Sequence, residues 1–282
     1  MLFATALLFS TGGAAIKASS LSSWQVAGFR SGIAAVVLFL ALPGARPSAT
    51  LRWTWRIWAI GAAYAATMIL FVAANKLTTS ANAIFLQSTA PLYLLLLGPL
   101  VLHEPIRKVD LAVISAVAAG AILLLSGSNV TAATAPNPAQ GNLLGVISGV
   151  TWALTVTGLR WAGKRSGEVD PSGATLIAGN LVAFLACLPM ALPLEHPTRV
   201  DFAVIGYLGV FQIGLAYIFL TRSLREVHGL EAATMLLIEP VFNPIWTWIV
   251  HGERPGASGL TGGFIIIVAA FGSTVWRLEQ ER

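Results

Sequence analysis

Apolar residues in this chain come in runs of about twenty, separated by short polar stretches, and about twenty residues is the length at which an α-helix crosses the hydrocarbon core of a bilayer. Read in order, the runs predict helices over 1–17, 22–42, 53–76, 79–101, 109–126, 142–161, 172–192, 202–224, 230–250 and 259–276. Between the fifth and sixth, residues 127–141 (GSNVTAATAPNPAQG) are polar and carry no charge, which predicts a linker. The expected fold is therefore all-α and integral to the membrane, with ten transmembrane helices. A five-helix repeat over 1–127 and a second over 142–282 would flank an extracytoplasmic linker over 128–141.

An echo along the chain supports that division. The fourth and ninth predicted helices are both apolar, both broken by proline, and both followed by an exit acid: Pro240 lies 149 residues after Pro91, and Glu253 lies 149 residues after Glu104. Lys76 and Arg225, which precede the two helices, keep the same spacing. Duplication explains one gap-free offset for three features. Five is odd, so the second half enters the membrane from the opposite side and the predicted repeat is inverted.

Composition narrows the class. Hydrophobic residues make up 56% and charged residues 10%, with a mean hydropathy of +0.77, where a soluble domain carries about 25% charge. The net charge of +5 is spread singly and in pairs, without a basic helix face, so nucleic acid is not an expected partner. With both termini cytoplasmic, twelve of the seventeen Lys and Arg residues fall on the inner side, against Lys17, Lys76, Arg199 and Arg254 outside, with Arg30 left inside the membrane. That asymmetry predicts a multi-pass protein of a bacterial-type plasma membrane with both ends inside. Cys187 is the one cysteine, so an intrachain disulfide is excluded. There is no HExxH helix, Gly-x-Ser-x-Gly elbow, P-loop or thiolate cluster, so no catalytic residue, metal or cofactor is expected, and the protein is not expected to be an enzyme.

The segment around Arg30 (AGFRSGIAAVVL), the paired blocks APLYLLLLGPLVLHEP and IEPVFNPIWTWIVHGERP, the Gly-rich fifth and tenth helices and Trp152-Ala153 together resemble the drug/metabolite transporter superfamily in its EamA-like ten-helix form. The resemblance covers nearly the whole chain. It implies a secondary carrier with a central cavity between two halves, often an exporter of metabolites or amino acids, and the exporters of aromatic amino acids look closest. Where many relatives have Trp-Gly in the first helix, this chain has Phe9-Ser10.

Inverted repeats allow alternating access around a midplane site, so candidates are polar or aromatic groups near mid-helix. Of nine tryptophans, Trp152 lies halfway along its helix, while the other eight fit interfacial belts. Its indole can stack on a ring or a cation, or simply pack. Gln87 stands one turn before Pro91, whose missing amide frees the Gln87 carbonyl; its side chain can bond a ligand or another helix. Asn180, Gln212, Tyr64, Tyr93 and Tyr217 are further mid-helix groups with the same two readings. Arg30 can grip a carboxylate with two prongs or clamp a carbonyl of a broken helix. Glu239, a costly acid in hydrocarbon, can take a substrate ammonium or a proton, or serve as a structural acid. Pro91, Pro240, Asn243 and Pro244 mark weakened helices suited to gating, and His103, Glu104, His251 and Glu253 sit at helix exits as caps or gates. The set predicts a monomeric exporter of hydrophobic or aromatic amino acids; the alternatives are an intramembrane enzyme and a channel-like facilitator.

Overall fold

The computed structural model describes residues 1–48, 52–103, 108–127, 133–165, 171–194, 196–223, 236 and 238–279. Glu104, Arg225 and the first part of the 230–250 stretch, all used above, lie outside these. Among the described residues there is no β-strand, as expected of a chain that must satisfy its backbone polar groups internally in lipid.

Among the described residues six helices are long and apolar enough to cross a membrane: Ser23–Ala41, Trp55–Leu77, Ser80–Val101, Pro138–Gly163, Ser172–Ala191 and Arg199–Ser223. Shorter apolar helices cover Leu2–Ala18, Asp110–Ser126 and Ala257–Gly272. The helices are numbered in chain order: α1 (Leu2–Ser10), α2 (Gly12–Ala18), α3 (Ser23–Ala41), α4 (Trp55–Leu77), α5 (Ser80–Gln87), α6 (Ala90–Leu97), α7 (Lys108–Ser126), α8 (Pro138–Arg165), α9 (Ser172–Ala191), α10 (Arg199–Tyr207), α11 (Ala216–Ser223), α12 (Ile238–His251) and α13 (Ala257–Glu279).

Local chemistry sets the ends and breaks. Ser22 caps α3 in a box with Gln25, and Thr198 caps α10 in a box with Asp201. The fourth stretch, expected as one helix, is interrupted between α5 and α6, where Pro91 offers no amide. At the break Ser88 Oγ donates to the Ile84 carbonyl at 2.8 Å and Thr89 Oγ1 to that of Leu86 at 2.6 Å, adding to the backbone bonds that the same two carbonyls accept from Ser88 and Thr89. The first stretch breaks likewise at Thr11, whose Oγ1 donates to the Leu8 carbonyl at 2.7 Å. Helix α12, by contrast, continues through Pro244. Helix α8 starts at Pro138, ahead of the expected Asn142. Two stretches wind as π-helix, Gly98–Leu102 and Leu208–Leu215, the second joining α10 to α11. Hydrophobic periodicity gave no hint of either.

Packing joins the two halves throughout. Helix α3 lies against α9, α4 against α8 and α9, and α7 against α13; α5 and α6 pack on α8, and α1 packs on α11 and α12. Glycines permit the closest approaches. A Cβ on Gly61 of α4 would stand 3.0 Å from the backbone N of Gly179 in α9, and one on Gly120 of α7 would stand 2.8 Å from the carbonyl of Gly262 in α13. Small residues at such crossings are the usual route to tight helix contact in lipid.

Candidate functional site

The centre of the molecule holds most of the mid-helix groups that stood out in the sequence. Tyr64 of α4 and Tyr217 of α11 meet edge to face with ring centroids 5.8 Å apart, and Phe9 of α1 meets Tyr217 in the same way at 5.0 Å. Edge-to-face contacts of this kind suit the ring quadrupole. Trp152 of α8, half-buried, and Met68 of α4 pack against the same apolar cluster, to which Ala34, Leu176 and Ile213 contribute from three further segments. The site is thus lined from both halves of the chain.

Polar groups thread this aromatic cluster. Asn180 Nδ2 donates to the Leu176 carbonyl at 2.9 Å and reaches the Tyr64 hydroxyl at 3.4 Å, while its Oδ1 is buried without a partner. Arg30 of α3 is 1% exposed. Its Nη2 donates to the Met68 carbonyl at 3.1 Å and its Nη1 to Gln212 Oε1 at a long 3.4 Å, and its Nε has no partner. Gln212 sits in the π-helical stretch that packs on α3. Its amide also approaches the first helix, where a Cβ on Gly12 would come within 2.9 Å of Nε2. Gln87 donates to Ser148 Oγ at 2.8 Å, and that hydroxyl donates to the Thr67 carbonyl at 3.4 Å, which brings Gln87 one turn of α8 from Trp152.

Other expected residues stand apart from this group. Tyr93 is half-buried and joins none of these ring or hydrogen-bond contacts among the described residues. Glu239 is half-buried near the start of α12 and interacts electrostatically with Tyr217. Pro91 starts α6, and Pro240 and Pro244 are buried in α12. Asn243 is fully buried with both amide atoms unpartnered; its Oδ1 faces Gly13, where a Cβ would come within 2.5 Å.

Three side-chain contacts went unrecognised in the sequence. Trp246, assigned to an interfacial belt, donates its indole N–H to Ser10 Oγ at 2.9 Å, tying α12 to α1. Thr11 and Tyr207 share a hydrogen bond at 2.7 Å, and Thr67 donates to Thr151 at 2.9 Å. Phe9-Ser10 was the available signal, since it marks where this chain leaves the usual pattern: Phe9 meets Tyr217 and Ser10 accepts from Trp246.

One end of the molecule is closed by a second polar network. Lys17 pairs with Glu253 at 3.0 Å, both side chains almost fully buried, and also donates to the carbonyls of Thr78, at 2.9 Å, and Thr134. Glu253 accepts from the Ser80 amide at 2.6 Å, capping α5. Lys76 donates to the Ser19 carbonyl, and Asp201 accepts from Ser19, Ser20 and Thr198. A cavity of about 380 Å³ opens beside this network, lined by Thr79, Asn82, His251, Arg254 and Ser258 among others, and it is separate from the aromatic cluster. At the opposite end, Trp53 donates to the Ala45 carbonyl at 3.1 Å, and the Arg56 guanidinium lies 5.0 Å over the Trp161 ring.

Comparison with known proteins gives a consistent result. The profile of the EamA-like transporter family matches residues 1–126 and 139–275. An uncharacterized transporter of Methanothermobacter thermautotrophicus is 24% identical over 205 residues, which is 70% of this chain and 60% of that relative's length. Proteins described as pseudopaline exporter CntI, from two strains of Pseudomonas aeruginosa, are each 24% identical over 264 residues, 93% of this chain and 90% of theirs. A solved crystal structure superposes with a TM-score of 0.65 at 20% identity, covering 100% of this chain and 97% of the other, a likeness of fold.

Proposed function

The chain belongs to the EamA-like transporter family, and from that premise we propose that it is a secondary carrier exporting hydrophobic or aromatic amino acids across a bacterial-type plasma membrane. The observation that carries this reading is the central cluster, in which Phe9, Tyr64, Trp152 and Tyr217 surround the polar groups of Arg30, Asn180 and Gln212. Aromatic faces suit an apolar side chain, and a single cation suits a ligand with one acidic group. A multiply phosphorylated ligand would call for several basic residues there. The matching family and the relatives are described as transporters, which speaks for a carrier over an intramembrane enzyme.

Transport would proceed by alternating access of two inverted five-helix repeats, 1–127 and 142–282, about this cluster. The packing supports the repeat. Counting α1 with α2, α5 with α6, and α10 with α11 as single spans gives ten, and exchanging each span with its counterpart five places on largely preserves the inter-half contacts. The pairs α3 with α9 and α7 with α13 map onto themselves, and α4 with α8 maps onto α11 with α1. The contact of α5 with α13 has its counterpart outside the described residues. The clustering of Lys17, Lys76, Thr134, Asp201 and Glu253 at one end supports the inverted threading, which puts their segments on one side of the membrane, and the basic asymmetry makes that side the outer one with both termini cytoplasmic.

Counterflow in proteoliposomes tests the assignment. Labelled phenylalanine is challenged with aromatic, aliphatic and small polar amino acids, pseudopaline and a nucleotide sugar. The expected order of inhibition is aromatic and large aliphatic first, small polar weaker, nucleotide sugar absent. Inhibition by the nucleotide sugar with none by any amino acid would remove the substrate assignment and leave the carrier standing.

A further inference from the structure

Arg30 is a fully buried cation for which the described residues supply no anion. The buried ion pair Lys17–Glu253 is made by other elements. A guanidinium carries five donor hydrogens in a planar fork, and here a backbone carbonyl, the Met68 sulfur at 3.8 Å and a long bond to Gln212 use part of them, none of these acceptors being charged, while Nε has no hydrogen-bond partner. Burying a charge without a counter-ion is costly, and a protein that needed only a donor at this place could bond the Met68 carbonyl with a neutral amide. Around the fork stand the Tyr64 and Tyr217 rings, both in electrostatic contact with it, and Tyr217 also feels the Glu239 carboxyl.

We propose that Arg30 is the carboxylate-recognition residue of the carrier: a substrate carboxylate displaces the long Gln212 contact and takes the free face of the guanidinium, while the substrate side chain lies on Tyr64, Tyr217 and Phe9. The proposal rests on the carrier reading and makes it specific, for it assigns the acidic group of the ligand to α3 and restricts that group to one negative charge. The weak bond to Gln212 belongs to the design. A 3.4 Å contact holds the fork in place when the site is empty and yields to a charge-assisted pair, which is shorter and roughly twice as strong. Tryptophan at 152 and the tyrosines then select the side chain, and Arg30 selects the acid.

Ligand-induced thermal protection of the purified full-length protein in detergent tests this without requiring transport. The probes are phenylalanine, phenylalaninamide and 3-phenylpropanoate. In the unaltered protein the two carboxylates should protect at concentrations on the order of ten- to a hundredfold below the amide, the range expected for a hydrogen-bonded charged pair. Arg30→Gln should bring acid and amide to parity, and Arg30→Lys, which keeps the charge and loses the fork, should fall between. A structural role for Arg30 would lower the melting temperature of every variant yet leave the acid-to-amide ratio alone, and an unchanged ratio overturns the proposal. If Arg30→Gln fails to fold, the unaltered protein and Arg30→Lys decide, because equal protection by acid and amide in the former, or an identical ratio in both, is equally fatal. Protection by 3-phenylpropanoate with none by phenylalanine would keep the carboxylate site and discard the amino-acid assignment.

Discussion

Two buried cations of this protein have opposite surroundings. Lys17, near the end of α2, donates to two backbone carbonyls and lies 3.0 Å from a carboxylate, so its charge is neutralised by the protein itself. Arg30, in α3, meets one carbonyl, the Met68 sulfur and one distant amide oxygen, with no carboxylate among the described residues. Among those residues one buried charge has its counter-ion and the other has none, a place proposed above for the substrate carboxylate. The closed pair also bridges the halves, since Glu253 follows α12 while Lys17, Thr78 and Ser80 belong to the first half. It therefore locks one face of the molecule, and the open cation lies deeper, within the aromatic cluster.

The sharpest way to break the comparison is at Glu253. Glu253→Gln leaves Lys17 buried without its anion, and stranding one partner of a buried pair costs about 3–5 kcal/mol. Thermal unfolding in detergent should show the largest drop of any variant considered, and Lys17→Met added to Glu253→Gln should recover much of it. A drop no greater than that of a surface change would mean that the pair is solvated. Next in size is Gly179→Ala, whose methyl would stand 2.6 Å from the Tyr64 ring and 2.8 Å from the Gly61 carbonyl. Overpacking of this kind costs about 1–3 kcal/mol and should displace Tyr64. The Gly206→Ala control, with open space at its Cβ, should be neutral or slightly stabilising.

A smaller effect is expected at Arg30 itself in the absence of ligand. Arg30→Met gives up two hydrogen bonds but relieves an unpaired charge, so stability should fall by no more than about 2 kcal/mol, well short of the Glu253 change. A loss as large as that at Glu253 would mean that Arg30 has a full set of internal partners. The smallest is Trp246→Phe, which removes one indole N–H bond to Ser10 and should cost about 1 kcal/mol. Unaltered melting there would make Trp246 the interfacial residue that its sequence position suggested.

The helices were legible in the sequence because the bilayer demands runs of a fixed length, and Tyr64, Tyr217, Asn180 and Gln212 stood out because polar groups at mid-span are expensive. Their convergence was not legible. Tyr64 and Tyr217 meet only because α4 and α11 pack into one cluster, a fact about three dimensions that no spacing along the chain encodes. Lys17 and Glu253 were each noted as end residues, yet their pairing joins opposite ends of the sequence. The break before Pro91 follows from the missing amide, whereas α12 passes through Pro244 without one, and the sequence around the two prolines does not distinguish the outcomes. Ser10 stood out in the sequence with Phe9, but its partner did not: a small hydroxyl in an apolar helix can be satisfied by its own backbone, as Ser10 also is through Leu7, so nothing along the chain points to Trp246.

The π-helical stretch Leu208–Leu215 lets the site tolerate a change in chain length. Such a segment behaves as an α-helix that has absorbed an additional residue, so the turns on either side keep their phase. Deleting one residue within it would let the helix relax to the ordinary ladder and leave Tyr217 beside Tyr64 and Phe9, whereas one residue removed from a regular α-helix turns everything downstream by about 100°. In this region a single-residue gap between two homologous sequences leaves the aromatic cluster standing, and what it moves is Gln212 and the contact that Gln212 makes with Arg30.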